Sequence, residues 1–373
     1  MDKIILSPAD IDLMKSPLRK GINLPTYVLG VFNPGLERLG NGNLIMVVRV
    51  AESLRDPFSD GNFLSIRWKD GKFILEEFPV EILDMKDPRK FILKSNKYHC
   101  NYRLTSFSWL LPVELNPQGT DIVSIHYDKA IFPEESYQEF GVEDARLHLI
   151  DKKYYMTACG VGAERHSTLL YDSDDGLSYN LLGMIQDHQN KDMVLFPEKI
   201  GDHYYSLTRP IGDHYFAEGP DSSVLAGPSI NQAVSPDLIH WRPAGPPFIR
   251  PQIGTGTEKK VGGGTPPIRF NDSTFLILFH GVEPNDNEVG VYRTYWCLAD
   301  CESPDKIITM ELDVPLLESR PELLDGINAE KYLSDVVFTS GIVDDGDFYL
   351  VASGELDLCC RMTTIPKSVF SNK

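Results

Sequence analysis

No window of the 373-residue sequence approaches the roughly 18 consecutive apolar residues of a membrane-spanning helix, so none is expected. Basic charge is also scarce: 36 Lys and Arg stand against 54 Asp and Glu, a formal net charge of -18. Such an excess of acid argues against a nucleic-acid backbone or an anionic membrane surface as partner. The six cysteines, at 100, 159, 297, 301, 359 and 360, form neither a CxxC pair nor a His/Cys ligand spacing. Metal and dithiol chemistry therefore lack a motif, and Cys159, Cys359 and Cys360 lie in apolar runs that suit buried thiols. No cofactor is expected. Gly262, Gly263 and Gly264 are followed by Thr-Pro-Pro rather than GK[ST], so they are not a phosphate-cradling P-loop. The start, MDKIILSPADIDLMKSPLRKG, has a three-residue apolar run and no small-residue cleavage pattern, which reads as cytoplasmic. No Ser/Gly-rich linker interrupts the chain, so residues 1–373 read as one domain, and the oligomeric state is left open.

Helical periodicity is sparse too, while short aromatic and β-branched runs between Asp, Gly, Asn and Pro turns are frequent, an all-β pattern. One unit recurs as GNGNLIMVVR (40–49), DKKYYMTACG (151–160), GDHYYSLTRP (201–210), NDSTFLILFHG (271–281) and DGDFYLVASG (345–354). Outer elements follow several copies, as in YDSDDGLSYNLLG and VSPDLIHWRPAG. Five copies imply a five-bladed β-propeller with these strands innermost, because one four-stranded blade cannot bury both faces alone. Residues 84–111 read as an insertion over one face, and about the first 25 residues as an extension holding a short helix beneath the propeller.

Charge gathers at the ends of the recurring strands, above all in FGVEDARL (140–147). Several carboxyls at one mouth suit glycoside chemistry, in which one protonates the leaving oxygen and another activates water or attacks carbon. VFNPG, VVRVAE, FGVEDAR, NKDMVLFPEKI, SPDLIHW, KVGGGTPPI, FHGV and GELD, in this order, resemble glycoside hydrolase family 130, five-bladed propellers acting on β-mannosides as inverting phosphorylases or β-1,2-mannosidases. The resemblance implies Asp144 as general acid, acting through the 3-hydroxyl of the mannosyl unit, with Glu143 and Arg146 beside it. It also implies Asn33, Arg49 and Asp357 on that mannosyl unit. Ala145 replaces the proline of the usual family EDPR.

Phosphorolysis needs cations opposite the acid, whereas hydrolysis needs a base about 6.5–9.5 Å from it. Lys199, Arg209 and His280 match basic positions near the family's phosphate, and Glu198 is common to both branches. Thr208, however, replaces the histidine of the phosphorylases' His-Arg-Pro, and Glu218 and Glu258 add carboxylates that would repel phosphate. The expectation is an inverting hydrolase releasing mannose from β-1,2-linked manno-oligosaccharides, with Glu218 or Glu258 as base. A β-mannoside phosphorylase is the alternative, followed by a non-catalytic carbohydrate-binding propeller and a retaining glycosidase.

Overall fold

The computed structural model describes residues 1–94, 102–211, 227–286, 289–327 and 331–371. Among them there is no α-helix, only short 3-10 turns between strands, and thus no helix able to cross a membrane. Five sheets carry the architecture. The first runs Thr26–Arg38, Leu44–Leu54, Phe107–Leu115, Ile122–Ile125, and the second Val142–Ile150, Lys153–Val161, His166–Ser173, Asn180–Met184. The third is Asn190–Leu195, Tyr204–Pro210, Asn231–Ser235, Arg242–Pro243. The fourth is Lys260–Gly263, Thr274–Glu283, Val291–Asp300, Ile307–Glu311, with Ile268–Arg269 also paired to its second strand. The fifth is Val337–Asp345, Phe348–Glu355, Cys359–Pro366, and its outer strand is Asp2–Leu6 from the start of the chain. Residues 1–25 therefore supply a sheet strand and three 3-10 turns where a short helix is expected from sequence.

Each sheet packs on the next, and apolar side chains fill every junction. Ile45 and Val47 meet Leu147 and Met156 between the first and second sheets, and Ile150 meets Leu195 between the second and third. Val194 and Leu207 meet Phe275 and Phe279, while Leu278 and Trp296 meet Val337 and Val351. Val31 and Leu36 meet Val343 and Leu350, so the fifth sheet returns to the first. Each large apolar side chain so buried contributes roughly 1.5–3 kcal/mol. Cys159, Cys297, Cys301, Cys359 and Cys360 are buried free thiols.

The recurring apolar runs are the second strands of their sheets, not the innermost. Thr274–Glu283 is buried on both faces along almost its whole length, which is why its sequence reads as one continuous apolar run. The first strand of each sheet precedes it and carries the charge, so FGVEDARL is itself a first strand rather than the approach to one. Residues 55–106 are inserted between the second and third strands of the first sheet, where Asn62–Lys69 and Lys72–Pro79 form one small sheet with Phe58–Ser59. Leu83–Asp84, Lys90–Leu93 and Tyr102–Leu104 form another.

Candidate active site

Three of the first strands carry the same irregularity. Pairing with the second strand shifts between Phe32 and Gly35, between Glu143 and Arg146, and between Lys191 and Val194. In each bulge one residue takes a left-handed conformation: Asn33 at φ 50, Asp144 at φ 56 and Asp192 at φ 56. Asn and Asp are the non-glycine residues that tolerate this region best. The bulge re-aims the side chain, and all three line one cavity of about 450 Å³, a size usual for small-ligand sites.

Around Asp144 the contacts are dense. Asn33 donates from Nδ2 to Asp144 Oδ1 at 2.9 Å, and Arg49 reaches Asp144 at 3.2 Å and Glu143 at 2.7 Å. Lys191 holds the other Glu143 oxygen at 3.2 Å. Burial alone would raise the Asp144 carboxyl, but Arg49, Lys191 and Arg146 overcome it and hold the group well below the usual carboxylate range. Burial likewise opposes the charge on Lys191, yet Glu143 and the neighbouring anions keep it above its ordinary value. Asp357 lines the same cavity, and there burial dominates and raises its carboxyl.

Basic side chains also surround Asp192 in this cavity. Arg209 approaches Asp192 at 2.8 Å, with His280 at 3.6 Å from the same oxygen. Burial pushes His280 down to about 3, with Asp192 opposing and Arg209 and Lys260 adding to the push, so the ring is neutral. Neither of its nitrogens has a hydrogen-bond partner among the described residues. Lys260 lies 4.9 Å from the centre of the Tyr292 ring. Burial depresses the Lys260 ammonium; burial would raise the Tyr292 hydroxyl, but Lys260 and Arg89 draw it below its ordinary value. Gly262 is required here, since a Cβ would lie 2.5 Å from the His280 ring and 2.7 Å from Asp192.

Of the residues singled out from sequence, Asn33, Arg49, Glu143, Asp144, Arg209, His280 and Asp357 come together in this cavity. Arg146 is buried behind it, donating to the Gly263 and Gly264 carbonyls and the Asp144 carbonyl, 3.7 Å from Asp192. Glu198 and Lys199 are elsewhere. They follow the far end of Asn190–Leu195, where Glu198 pairs with Arg269 at 2.6 Å and Lys199 lies over the Tyr204 ring. Glu258 does not line the cavity; its Oε1 accepts from the Gly254 N–H at 2.6 Å within its own loop. Glu218 lies outside the described residues. Sequence reasoning passed over Lys191, Asp192, Lys260, Tyr292 and Arg89, all of which line the cavity. Lys191-Asp192 could have been found as a second charged pair opening a first strand, matching Glu143-Asp144.

A model of glycoside hydrolase family 130, described as β-1,4-mannooligosaccharide phosphorylase, matches residues 113–371. The chain belongs to that family. It is 28% identical over 370 residues to a β-1,2-mannobiose phosphorylase of Listeria innocua, covering 95% of this chain and 93% of the relative. A β-1,2-mannobiose phosphorylase of Thermoanaerobacter is 31% identical, over 74% of this chain and 88% of its own. The solved Listeria innocua enzyme, in complex with β-1,2-mannobiose, superimposes with a TM-score of 0.81 at 26% identity, over 98% of this chain and 96% of that one. These family 130 relatives are phosphorylases, in contrast to the hydrolysis expected from sequence.

Proposed function

We propose that this family 130 chain is a five-bladed β-propeller that cleaves β-1,2-linked mannosides with phosphate, inverting the anomeric centre and releasing α-mannose 1-phosphate. One observation carries the reading: Arg49, Arg89, Lys90, Lys191, Arg209 and Lys260 line the cavity against Glu143, Asp144, Asp192 and Asp357, an excess of cations. Arg209 and Lys260, with the neutral His280 and the Tyr292 hydroxyl, offer donors to a phosphate in the same cavity as Asp144. The relatives support the same choice. The glutamate argument for hydrolysis loses Glu258, which is turned into its own loop. Thr208, whose hydroxyl donates to Asn190 and cannot replace a phosphate-binding histidine, and Glu218, outside the described residues, are what remain for hydrolysis.

In this reading Asn33, Arg49 and Asp357 hold the mannosyl unit in the first subsite. A phosphate oxygen attacks the anomeric carbon from the cationic side, the glycosidic C–O bond breaks, and the leaving oxygen takes a proton from Asp144 through the mannosyl 3-hydroxyl. The surrounding cations favour the Asp144 anion. A phosphate dianion among them offsets that field and raises the carboxyl toward a protonated form, coupling nucleophile binding to acid readiness. Incubating the protein with β-1,2-mannobiose, with and without phosphate, tests this. Mannose 1-phosphate is expected only with phosphate, and proton NMR of fresh product should give the α-anomer. Equal release of free mannose without phosphate would establish hydrolysis instead.

A further inference from the structure

The inserted segment brings two cations, Arg89 and Lys90, into the cavity from outside the region that the family model matches, and Arg89 is the one held in a fixed geometry. Arg89 sits on the turn between Leu83–Asp84 and Lys90–Leu93 and lines the cavity. Its placement is fixed at several points. Arg89 Nε donates to Asp87 Oδ1 at 3.0 Å and Nη2 to Oδ2 at 3.0 Å, a two-pronged pair with a carboxylate that is only 5% exposed. The Arg89 backbone N–H also donates to Asp87, and its carbonyl accepts from the Thr105 N–H at 3.1 Å. Two residues on, Phe91 is fully buried against Phe63 and Phe78. Among the described residues no hydrogen bond occupies Nη1. The guanidinium also lies close enough to Tyr292 and Asp357 for their charges to act on it.

A guanidinium held by a buried carboxylate has lost its rotamer freedom in advance, and its remaining N–H groups suit an oxyanion. Arg89 lines the same cavity as Tyr292 and Lys260, which offer further donors to an oxyanion there. We infer that Arg89 is a phosphate ligand supplied by the insertion, contacting the nucleophile and then the phosphoryl group of the product, and that Asp87 is its positioning residue. This rests on the phosphorolytic reading and adds to it a residue that neither sequence analysis nor the family match singled out.

The test is titration of the full-length protein, as wild type, Arg89→Ala, Arg89→Lys and Asp87→Asn, with inorganic phosphate by calorimetry. Initial rates varying phosphate and β-1,2-mannobiose separately, and thermal unfolding of each variant, complete the set. Arg89→Ala should weaken phosphate binding and raise KM for phosphate by about 10- to 100-fold, the usual worth of a hydrogen bond to a charged group. KM for mannobiose should change little. Arg89→Lys, which keeps the charge without the fork, should fall between the alanine variant and wild type, and it decides the matter if the alanine variant unfolds. Asp87→Asn should shift KM for phosphate in the same direction by less. Equal phosphate affinity in wild type and both Arg89 variants would overturn the assignment while leaving phosphorolysis intact. A rise confined to KM for mannobiose would assign Arg89 to the sugar and overturn it as well. No phosphate binding by wild type would instead sink the phosphorolytic reading itself.

Discussion

Strand Thr26–Arg38 passes from Asn33 to Glu37, and strand Val142–Ile150 from Asp144 to His148, so the same strands line two cavities with different chemistry. The second cavity, of about 320 Å³, is walled by Leu147, Leu195, Pro197, Pro266, Pro267 and Ile342 around Glu37 and His148. Burial acts on the ionisable groups at both ends. Beside Asp144, Arg49 and Lys191 reverse its effect. Beside Glu37 nothing does: burial dominates and pushes the carboxyl up to about 7, and burial pushes His148 down to about 3. What separates the two ends is thus the strength of the counter-charge: Arg49 and Lys191 reverse the effect of burial at Asp144, whereas Arg38 offsets it only in part at Glu37.

The sharpest way to break this contrast is at Asp144. Asp144→Asn keeps the left-handed bulge, because Asn tolerates that conformation, and keeps an acceptor for Asn33 while removing the transferable proton. Turnover should fall by about 10²–10⁴-fold, the usual range for loss of a general acid, while loss of the charge paired with Arg49 lowers the unfolding midpoint and leaves the chain folded at assay temperature. Near-normal turnover would move the acid elsewhere, and Asp357, whose carboxyl is raised by burial, would be the next to test.

At the other end the effect should fall on stability. Glu37 has a folded value of about 7 against an ordinary 4.5. Its contribution is therefore complete below about pH 4.5 and is lost as pH rises through about 7. Glu37→Gln should flatten that part of the stability profile by about 1–2 kcal/mol, allowing for partial exposure, with catalysis unaffected. Denaturant titrations at about pH 5 and pH 8 measure it. Identical slopes in wild type and variant would mean that Glu37 is already ionised at neutral pH.

The order of sheets was legible in the sequence because the second strands, covered on both faces, are loud apolar runs. Their rank was not. The first strands are quieter: Asn190–Leu195 has six residues, opens on polar groups and contains a bulge. A register shift arises from pairing and leaves no local mark, so Asp192 went unnoticed although it repeats the backbone of Asp144. Taking the second strands as innermost also displaced Glu198 and Lys199. Residues 196–200 follow the far end of a first strand, and Pro197 lines the second cavity. Asp357, by contrast, lies in the turn after Phe348–Glu355, on the cavity side, where sequence expected it. Arg89 depended on how an inserted segment folds, which no periodicity encodes.

The smallest effect is expected at Glu258, one of the two glutamates that sequence offers as the base for water. Its loop precedes Lys260–Gly263, so the backbone is near the cavity while the carboxylate is spent on the Gly254 N–H. Glutamine keeps an acceptor for that hydrogen bond. Glu258→Gln should therefore leave turnover within about twofold and cost less than about 1 kcal/mol in stability, as for other exchanges that preserve a loop contact. If the rate instead falls on the scale of Asp144→Asn, the carboxylate must swing into the cavity during the reaction. Water would then have its base, and Arg209 and Lys260 would be sugar ligands.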